Sequence, residues 1–182
     1  MPRLRLSSLP AGFTVIELLL ALAVLSALIA WAAPDWQRQV GGAELRERAE
    51  ALVAAMAHAR SEAILRGTRV DVCPSPDHSA CSASAGWEAG WLAFVNEPAS
   101  DPQAPPRYVL ARERGARRGV TIRGNAPVAH YVSYTPLGHA RRHDGALQMG
   151  TFTVCRSGYD ALRIVLANSG RTRIDVTQEI CP

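Results

Sequence analysis

The chain has 182 residues, of which 48% are hydrophobic and 20% are charged. This length suits one folded domain, and this composition excludes a wholly disordered chain. The net charge is +4, but residues 107–182 hold 12 arginines against 5 acids, whereas residues 35–106 hold 6 against 10. The basic last third therefore has the charge of a surface that attracts anionic partners.

The first predicted element is an apolar helix behind a short basic leader. Residues 13–33 contain a single charged residue, Glu17, and the run ends at Pro34. At about 1.5 Å per residue, such a helix spans roughly the 30 Å hydrocarbon core of a bilayer. Arg3 and Arg5 precede it, which predicts an amino terminus in the cytoplasm and export of everything after the helix.

The position of Glu17 separates two interpretations of this segment. A secretory signal peptide, cut near Ala30-Trp31-Ala32, would have a shorter apolar run without a carboxylate inside it. An ionised carboxylate at membrane depth is costly unless a partner such as an amine lies at the same depth. The sequence therefore favours a retained helix in which Glu17 meets a charged partner.

Gly12, Phe13 and Glu17 together resemble the processing motif of type IV prepilins, which has Gly, then an aromatic residue, then Glu four residues later. The resemblance implies that prepilin peptidase cuts between Gly12 and Phe13 and that Phe13 is N-methylated. It also implies that Glu17 pairs with the terminal amine of a neighbouring subunit in a filament. We therefore predict a leader over residues 1–12 and a membrane-spanning half-helix over residues 13–34.

The helix is predicted to continue as a periplasmic half over residues 35–67. Apolar residues recur along it three or four apart and form one stripe that can pack on a globular head. Charged pairs at i,i+4 spacing cover the other face: Glu44/Arg48, Arg46/Glu50 and Glu62/Arg66. Pro34 and the pair Gly41-Gly42 are the points at which the helix is expected to kink or melt.

Residues 68–182 are predicted to form a β-rich head. Short β-branched or aromatic runs alternate there with Gly, Pro, Asn and Asp, which is typical of antiparallel strands joined by turns. The runs are 69–73, 91–96, 107–112, 120–123, 129–135, 151–156, 161–167 and 171–177. Residues 97–106 are predicted to be a surface loop. The predicted fold class is α+β, with the long amino-terminal helix packed on an antiparallel β-sandwich.

All four cysteines lie in the part predicted to be exported, where disulfides form. Four cysteines allow three pairings. The sequence favours Cys73–Cys81, which closes a local loop, and Cys155–Cys181, which holds the carboxyl terminus. The alternative is a metal site formed by Cys73, His78 and Cys81, but no CxxC pair accompanies it. No metal or cofactor is predicted.

Three segments resemble the FimT/GspH family of type IV minor pilins and type II secretion pseudopilins. They are Ala59–Gly67 leading into Val70–Pro74, then Gly90–Val95, then Ser169–Ile174. The resemblance implies a pilin-like fold and a place in a filament beside other major and minor pilins. It also implies a single-pass protein of the inner membrane with its head in the periplasm, found on a cell-surface pilus after assembly.

The last of these segments resembles the GRxR tail of the FimT branch of that family. If the segment is a strand, Arg171 and Arg173 lie on one face, with their backbones roughly 6.6–6.8 Å apart. Two forked cations can hold successive phosphates without selecting a base sequence. The alternative interpretation is an edge strand kept soluble by its charges. The resemblance favours DNA binding through Gly170, Arg171 and Arg173, for natural transformation.

Two further arginine pairs are candidates to extend this DNA-binding surface. Arg117 and Arg118 lie in one predicted turn, and Arg141 and Arg142 lie in another. His139 and His143 flank the second pair and would gain charge below about pH 6.5, which would strengthen binding to an anion.

Catalysis is not predicted, because the sequence has no nucleophile elbow, no HExxH motif and no P-loop. The predicted function is that of a minor type IV pilin that binds the DNA backbone for uptake. The alternative is a minor pseudopilin that helps to assemble the filament tip of a type II secretion system and binds no DNA. The GRxR tail on a basic last third favours the first function.

Overall fold

The computed structural model describes residues 14–96, 108–116 and 119–182, with the backbone alone over residues 31–38. The predicted leader, Phe13, the predicted loop 97–106 and the pair Arg117 and Arg118 lie outside the described residues. The chain divides into two compact units, Met1–Val40 and Gly41–Pro182.

One helix, α1, runs over Val15–Arg66. It stays helical through Pro34 and through Gly41-Gly42, so the helix does not melt where the sequence predicted a weak point. Gly41 is buried, and a Cβ at this position would collide with the hydroxyl of Tyr159. The glycine therefore serves close packing of the helix against the head.

In the first unit, the described side chains of residues 14–30 are all exposed. Ten of them are large and apolar, with 52–76% of their surface exposed: Val15, Ile16, Leu18, Leu19, Leu20, Leu22, Val24, Leu25, Leu28 and Ile29. Within the described residues, no helical segment is both long and apolar enough to cross a membrane.

Eight strands follow α1 in the described part of the chain, and they pair only in the antiparallel sense. They are β1 Arg69–Pro74, β2 Gly90–Asn96, β3 Val109–Arg114, β4 Val120–Gly124, β5 Val132–Tyr134, β6 Gly150–Arg156, β7 Asp160–Leu166 and β8 Thr172–Ile180. Sheet A has the order β3-β2-β1-β5, and sheet B has the order β4-β6-β7-β8. Strand β8 is thus an edge strand of sheet B.

The helix and both sheets bury their apolar faces in one core. Alternate residues of a strand point to opposite faces, so each sheet turns one set inward. The core comprises, among others, Leu45, Ala49, Leu52, Met56, Ala59 and Ala63 of the helix, Val70, Val72 and Trp91 of sheet A, and Ile122, Phe152, Val154 and Ile164 of sheet B. This arrangement confirms the predicted α+β fold, with a helix packed on antiparallel sheets.

Trp87 and Trp91 are the two largest of the fully buried side chains that the structure describes, and Trp87 has 1% of its surface exposed. Its indole Nε1 donates to the carbonyl oxygens of Val128 at 3.0 Å and Ala129 at 3.1 Å. Its ring meets that of Phe152 edge to face, with the centroids 5.2 Å apart. One side chain thus joins the segment before β2 to sheet B and to the segment before β5.

Two of the three predicted i,i+4 ion pairs form on α1: Arg46 with Glu50 at 3.4 Å and Arg66 with Glu62 at 2.6 Å. The predicted pair between Glu44 and Arg48 is wrong. Glu44 accepts from Arg156 of β6 at 2.7 Å, and Arg48 donates to Glu113 of β3 at 3.2 Å. Both helix side chains are largely buried against the head, so partners from distant strands replace the neighbour on the helix.

Two disulfides close loops in the head, Cys73–Cys81 and Cys155–Cys181. These are the pairings that the sequence favours among the three possible. Both sulfur atoms of the alternative metal site are therefore in a covalent bond, and the third member, His78, faces the carbonyl oxygen of Glu113 at 3.1 Å.

Candidate functional site

Arg171 closes the turn between β7 and β8. The amide of Gly170 donates to the carbonyl of Ala167, and the amide of Ala167 donates to the carbonyl of Arg171, each at 2.9 Å. Gly170 has φ +79°, and a Cβ there would collide with the carbonyl oxygen of Gly138. Only glycine fits this backbone conformation and this close approach without strain. The turn at Gly170 therefore packs closely against the backbone at Gly138.

The two arginines of the tail have different surroundings. Arg171 is exposed, and its side chain makes no hydrogen bond or ion pair with any part of the chain that the structure describes. Arg173, on β8, is also exposed, but its Nε donates to Asp175 Oδ2 at 3.1 Å. The charge of Arg173 is therefore partly neutralised, whereas that of Arg171 is not.

A second turn, over residues 135–139, lies against the turn that carries Arg171. Within this second turn, the amide of Gly138 donates to the carbonyl of Thr135 at 2.8 Å. The amide of Ala140 then donates to the carbonyl of Asn168 at 3.1 Å, which links the two turns. The structure thus brings the segment that carries Arg141 next to the segment that carries Arg171.

The predicted pair Arg141 and Arg142 divides in the structure. The amide of Arg141 donates to the carbonyl of Ser133 at 3.0 Å, and its side chain has no carboxylate partner among the described residues. Arg142 forms an ion pair with Asp144 at 3.2 Å. Of the two, only Arg141 has a charge that is not balanced within the described chain.

Two arginines near these turns had no predicted role. Arg60 of α1 donates from Nε to the carbonyl of Gly138 at 2.8 Å. Arg69 of β1 donates from Nη1 to Ser133 Oγ at 2.7 Å and to the carbonyl of Arg141 at 3.0 Å. The helical period could have placed Arg60 beside the helix face that packs on the head, since Arg60 follows the buried Met56 by four residues and adjoins the buried Ala59.

His143 has a structural partner. Its Nε2 lies 2.7 Å from Oδ2 of Asp71, a carboxylate that is 2% exposed and that also accepts from Asn96 Nδ2 at 2.6 Å. The imidazole stacks on the ring of Tyr131, with the centroids 4.4 Å apart. These contacts fasten the segment after Arg141 to the outer side of sheet A. His139, by contrast, is exposed.

Asp77 and Tyr134, among the described residues, have shifted pKa values. Burial raises the pKa of Tyr134, and the neighbouring Arg60 opposes this rise. In the Cys73–Cys81 loop, hydrogen bonds from the hydroxyl and the amide of Ser79 lower the pKa of Asp77 to about 2. Asp77 therefore stays ionised and orders this loop.

A cavity of about 420 Å³ opens on the outer side of sheet B, beside Pro182. Two arginines line it, Arg123 and Arg156. Each is held at 2.7 Å by a glutamate, Arg123 by Glu88 and Arg156 by Glu44. The cations of this cavity are therefore already paired.

Glu17 lies in the exposed apolar part of α1. Its backbone amide donates to Thr14 Oγ1 at 3.4 Å, and its carboxylate has no partner among the described residues. The predicted cleavage site, Gly12 and Phe13, and the arginines Arg117 and Arg118 lie outside the described residues.

Comparison with known proteins gives a family match and several structural matches. The family model for the type II transport protein GspH matches residues 48–170. No curated protein matches the sequence significantly.

The structural matches include a minor pilin and a minor pseudopilin. The type IV minor pilin FimU of Pseudomonas aeruginosa PAO1 is 21% identical over 78% of this chain and 98% of its own, with a TM-score of 0.58. A second crystal form of FimU gives 20% identity over 75% and 99%, with a TM-score of 0.53. The minor pseudopilin EpsH of the Vibrio cholerae type 2 secretion system is 14% identical over 75% and 99%, with a TM-score of 0.51. At these identities the likeness is one of fold.

Proposed function

Because the chain belongs to the GspH family of type II transport proteins, we propose that it is a minor pilin that prepilin peptidase cuts between Gly12 and Phe13. After cleavage and N-methylation of Phe13, the chain joins a filament with other pilins. Its role is to assemble and to bind, and it does no chemistry of its own.

The exposed amino-terminal half of α1 supports the assembly step. Ten large apolar side chains and one carboxylate without a partner among the described residues, Glu17, need an apolar environment and a cation, respectively. The inner membrane supplies the apolar environment before assembly, with the head in the periplasm. In the filament at the cell surface, the terminal amine of a neighbouring subunit supplies the cation.

We further propose that the head binds the phosphate backbone of DNA without sequence preference, for DNA uptake. The observation that carries this proposal is Arg171, an exposed cation without an acidic partner among the described residues, on a rigid turn. Gly170 shapes that turn. Arg173 is a weaker second cation, because a phosphate must displace Asp175 to reach it. Arg141 extends the DNA-binding surface. Arg117 and Arg118 are proposed to extend it as well. Arg142, which is paired with Asp144, contributes less.

Replacing Arg171 and Arg173 with glutamine is expected to weaken binding to duplex DNA about 10-fold or more at low salt. The plot of log K against log[salt] should become shallower by about 0.9 for each phosphate that the variant no longer neutralises. The measurement is the Kd at about 50 mM and about 200 mM salt. The matched control is Arg46→Gln with Arg123→Gln, which removes the same charge from two arginines that are paired with glutamates.

Unchanged affinity in the tail variant would overturn the DNA-binding proposal. Binding by the unmodified chain that is no tighter than that of an acidic control protein would do the same. Either result leaves the alternative function, that of a minor pseudopilin with a structural role in type II secretion.

A further inference from the structure

The described arginines of α1 and the head differ in whether an acid balances them. The structure describes 14 arginine side chains, of which eight lie within 4.0 Å of a carboxylate oxygen. The other six are Arg60, Arg69, Arg112, Arg114, Arg141 and Arg171. The described arginines are thus usually paired, and the six exceptions need an explanation.

Four of these six belong to one hydrogen-bonded assembly, which we call the basic pole: Arg60, Arg69, Arg141 and Arg171. Arg60 donates to the carbonyl of Gly138, against which the turn preceding Arg171 is packed. Arg69 donates to the carbonyl of Arg141, and Ala140 joins the two turns through its amide. The four arginines come from α1, from β1, from the turn before β8 and from the segment that follows the second turn, so the fold alone brings them together.

Several N–H donors of the basic pole have no acceptor within the described residues. Arg60 uses only Nε within the described chain, which leaves both terminal nitrogens without an intramolecular acceptor there. The guanidinium groups of Arg141 and Arg171 make no hydrogen bond within the same residues. Like charges that share one surface repel each other, and an anion with several acceptor oxygens removes this repulsion and satisfies the free donors.

We propose that the basic pole is the phosphate-binding surface and that Arg60 and Arg141 contact the nucleic-acid backbone together with Arg171. This inference rests on the proposed DNA binding and deepens it by naming the contacting residues. Arg69 acts as a positioning residue, since it holds the backbone of Arg141. Arg173 contributes little, because Asp175 already neutralises it and a phosphate must compete with that carboxylate.

The aromatic residues near the pole are already engaged, which points to phosphate as the group that is bound. Tyr131 is stacked on His143, and Tyr134 is fully buried. Neither ring is available to stack on a base, so binding through the pole should depend strongly on salt and little on sequence.

Single substitutions in the full-length chain, in a nonionic detergent, test this assignment. We expect Arg60→Gln, Arg141→Gln and Arg171→Gln each to weaken duplex DNA binding about 3- to 10-fold and to make the salt slope shallower by about 1. Arg173→Gln should change the Kd by less than about 2-fold, and so should the charge-matched control Arg46→Gln. A second duplex of unrelated sequence should give the same order of effects.

Arg60 needs a second variant, because it also supports the turn at Gly138. Arg60→Lys keeps the charge but lacks the Nε donor, so we expect it to retain the salt slope of the unmodified chain. Thermal unfolding by circular dichroism, run on every variant, reports whether the head is folded. If Arg60→Lys binds as weakly as Arg60→Gln, Arg60 is only structural and its contact with phosphate is refuted.

The outcomes separate the two proposals. If Arg171→Gln weakens binding while Arg60→Gln and Arg141→Gln do not, the basic pole is wrong and the proposed function stands. If Arg173→Gln is as damaging as Arg171→Gln, the assignment of a minor role to Arg173 is wrong. If no variant weakens binding, or if the unmodified chain does not bind, the proposed DNA binding itself fails and the pole fails with it.

Discussion

Replacing Trp87 with alanine is expected to lower the free energy of unfolding of the head by about 3–5 kcal/mol. The indole is 1% exposed, packs edge-on against Phe152 and donates to two carbonyl oxygens. Its removal leaves a cavity in the core beside Phe152 and leaves the carbonyls of Val128 and Ala129 without this donor. Urea unfolding of the unit Gly41–Pro182, which contains the whole described core, measures the decrease.

An exposed apolar side chain provides the control for this experiment. Leu137 has 76% of its surface exposed, so Leu137→Ala should change the free energy of unfolding by less than about 0.5 kcal/mol. A decrease below about 1 kcal/mol for Trp87→Ala would show that Trp87 does not lie at the centre of the core.

Removing the Cys155–Cys181 bond is expected to cost more stability than removing Cys73–Cys81. The first bond joins cysteines 26 residues apart and the second joins cysteines 8 apart. A cross-link that closes a longer loop removes more entropy from the unfolded chain, which gives about 3–4 kcal/mol for the first and about 2–3 kcal/mol for the second.

Double alanine variants test this order. Cys155→Ala with Cys181→Ala, and Cys73→Ala with Cys81→Ala, are compared by urea unfolding under the same conditions. If the shorter loop proves to contribute more, chain entropy is not the main source of stabilisation. Strand β8 would then be held chiefly by its pairing with β7.

Most of the fold follows from local patterns in the sequence. The 3.6-residue apolar period predicts the helix, and runs of β-branched residues between turn formers predict the strands to within a few residues. The predicted strand over 129–135 shrinks to Val132–Tyr134, since Ala126–Val128 forms a short 3-10 helix that leads into it. The family match confirms the predicted resemblance to the FimT/GspH family of minor pilins and pseudopilins.

The errors concern partners that lie far away along the chain. Glu44 and Arg48 are spaced as a helical ion pair, yet Arg156 and Glu113 take their places. Spacing rules describe an isolated helix, whereas these side chains face a sheet. The pairing of Arg173 with Asp175 was accessible from the sequence, because alternate residues of a strand share a face.

In the candidate site, too, the residues that belong to local motifs could be predicted from the sequence, whereas their partners from distant segments could not. The sequence points to Arg171 through its motif and to Arg141 through its basic turn. It gives no reason to join them to Arg60 and Arg69, which lie in the helix and in the first strand. The hydrogen bonds between the two turns, from Arg60 to Gly138 and from Arg69 to Arg141 bring these arginines into one surface.

The intact mass of the chain, isolated from cells that contain prepilin peptidase, tests most directly the claim that this is a filament subunit. We predict a mature chain that lacks residues 1–12, begins at Phe13 and carries one additional methyl group on its terminal amine. A chain that still begins at Met1, or one that is cut near Ala32, would contradict the assignment as a minor pilin.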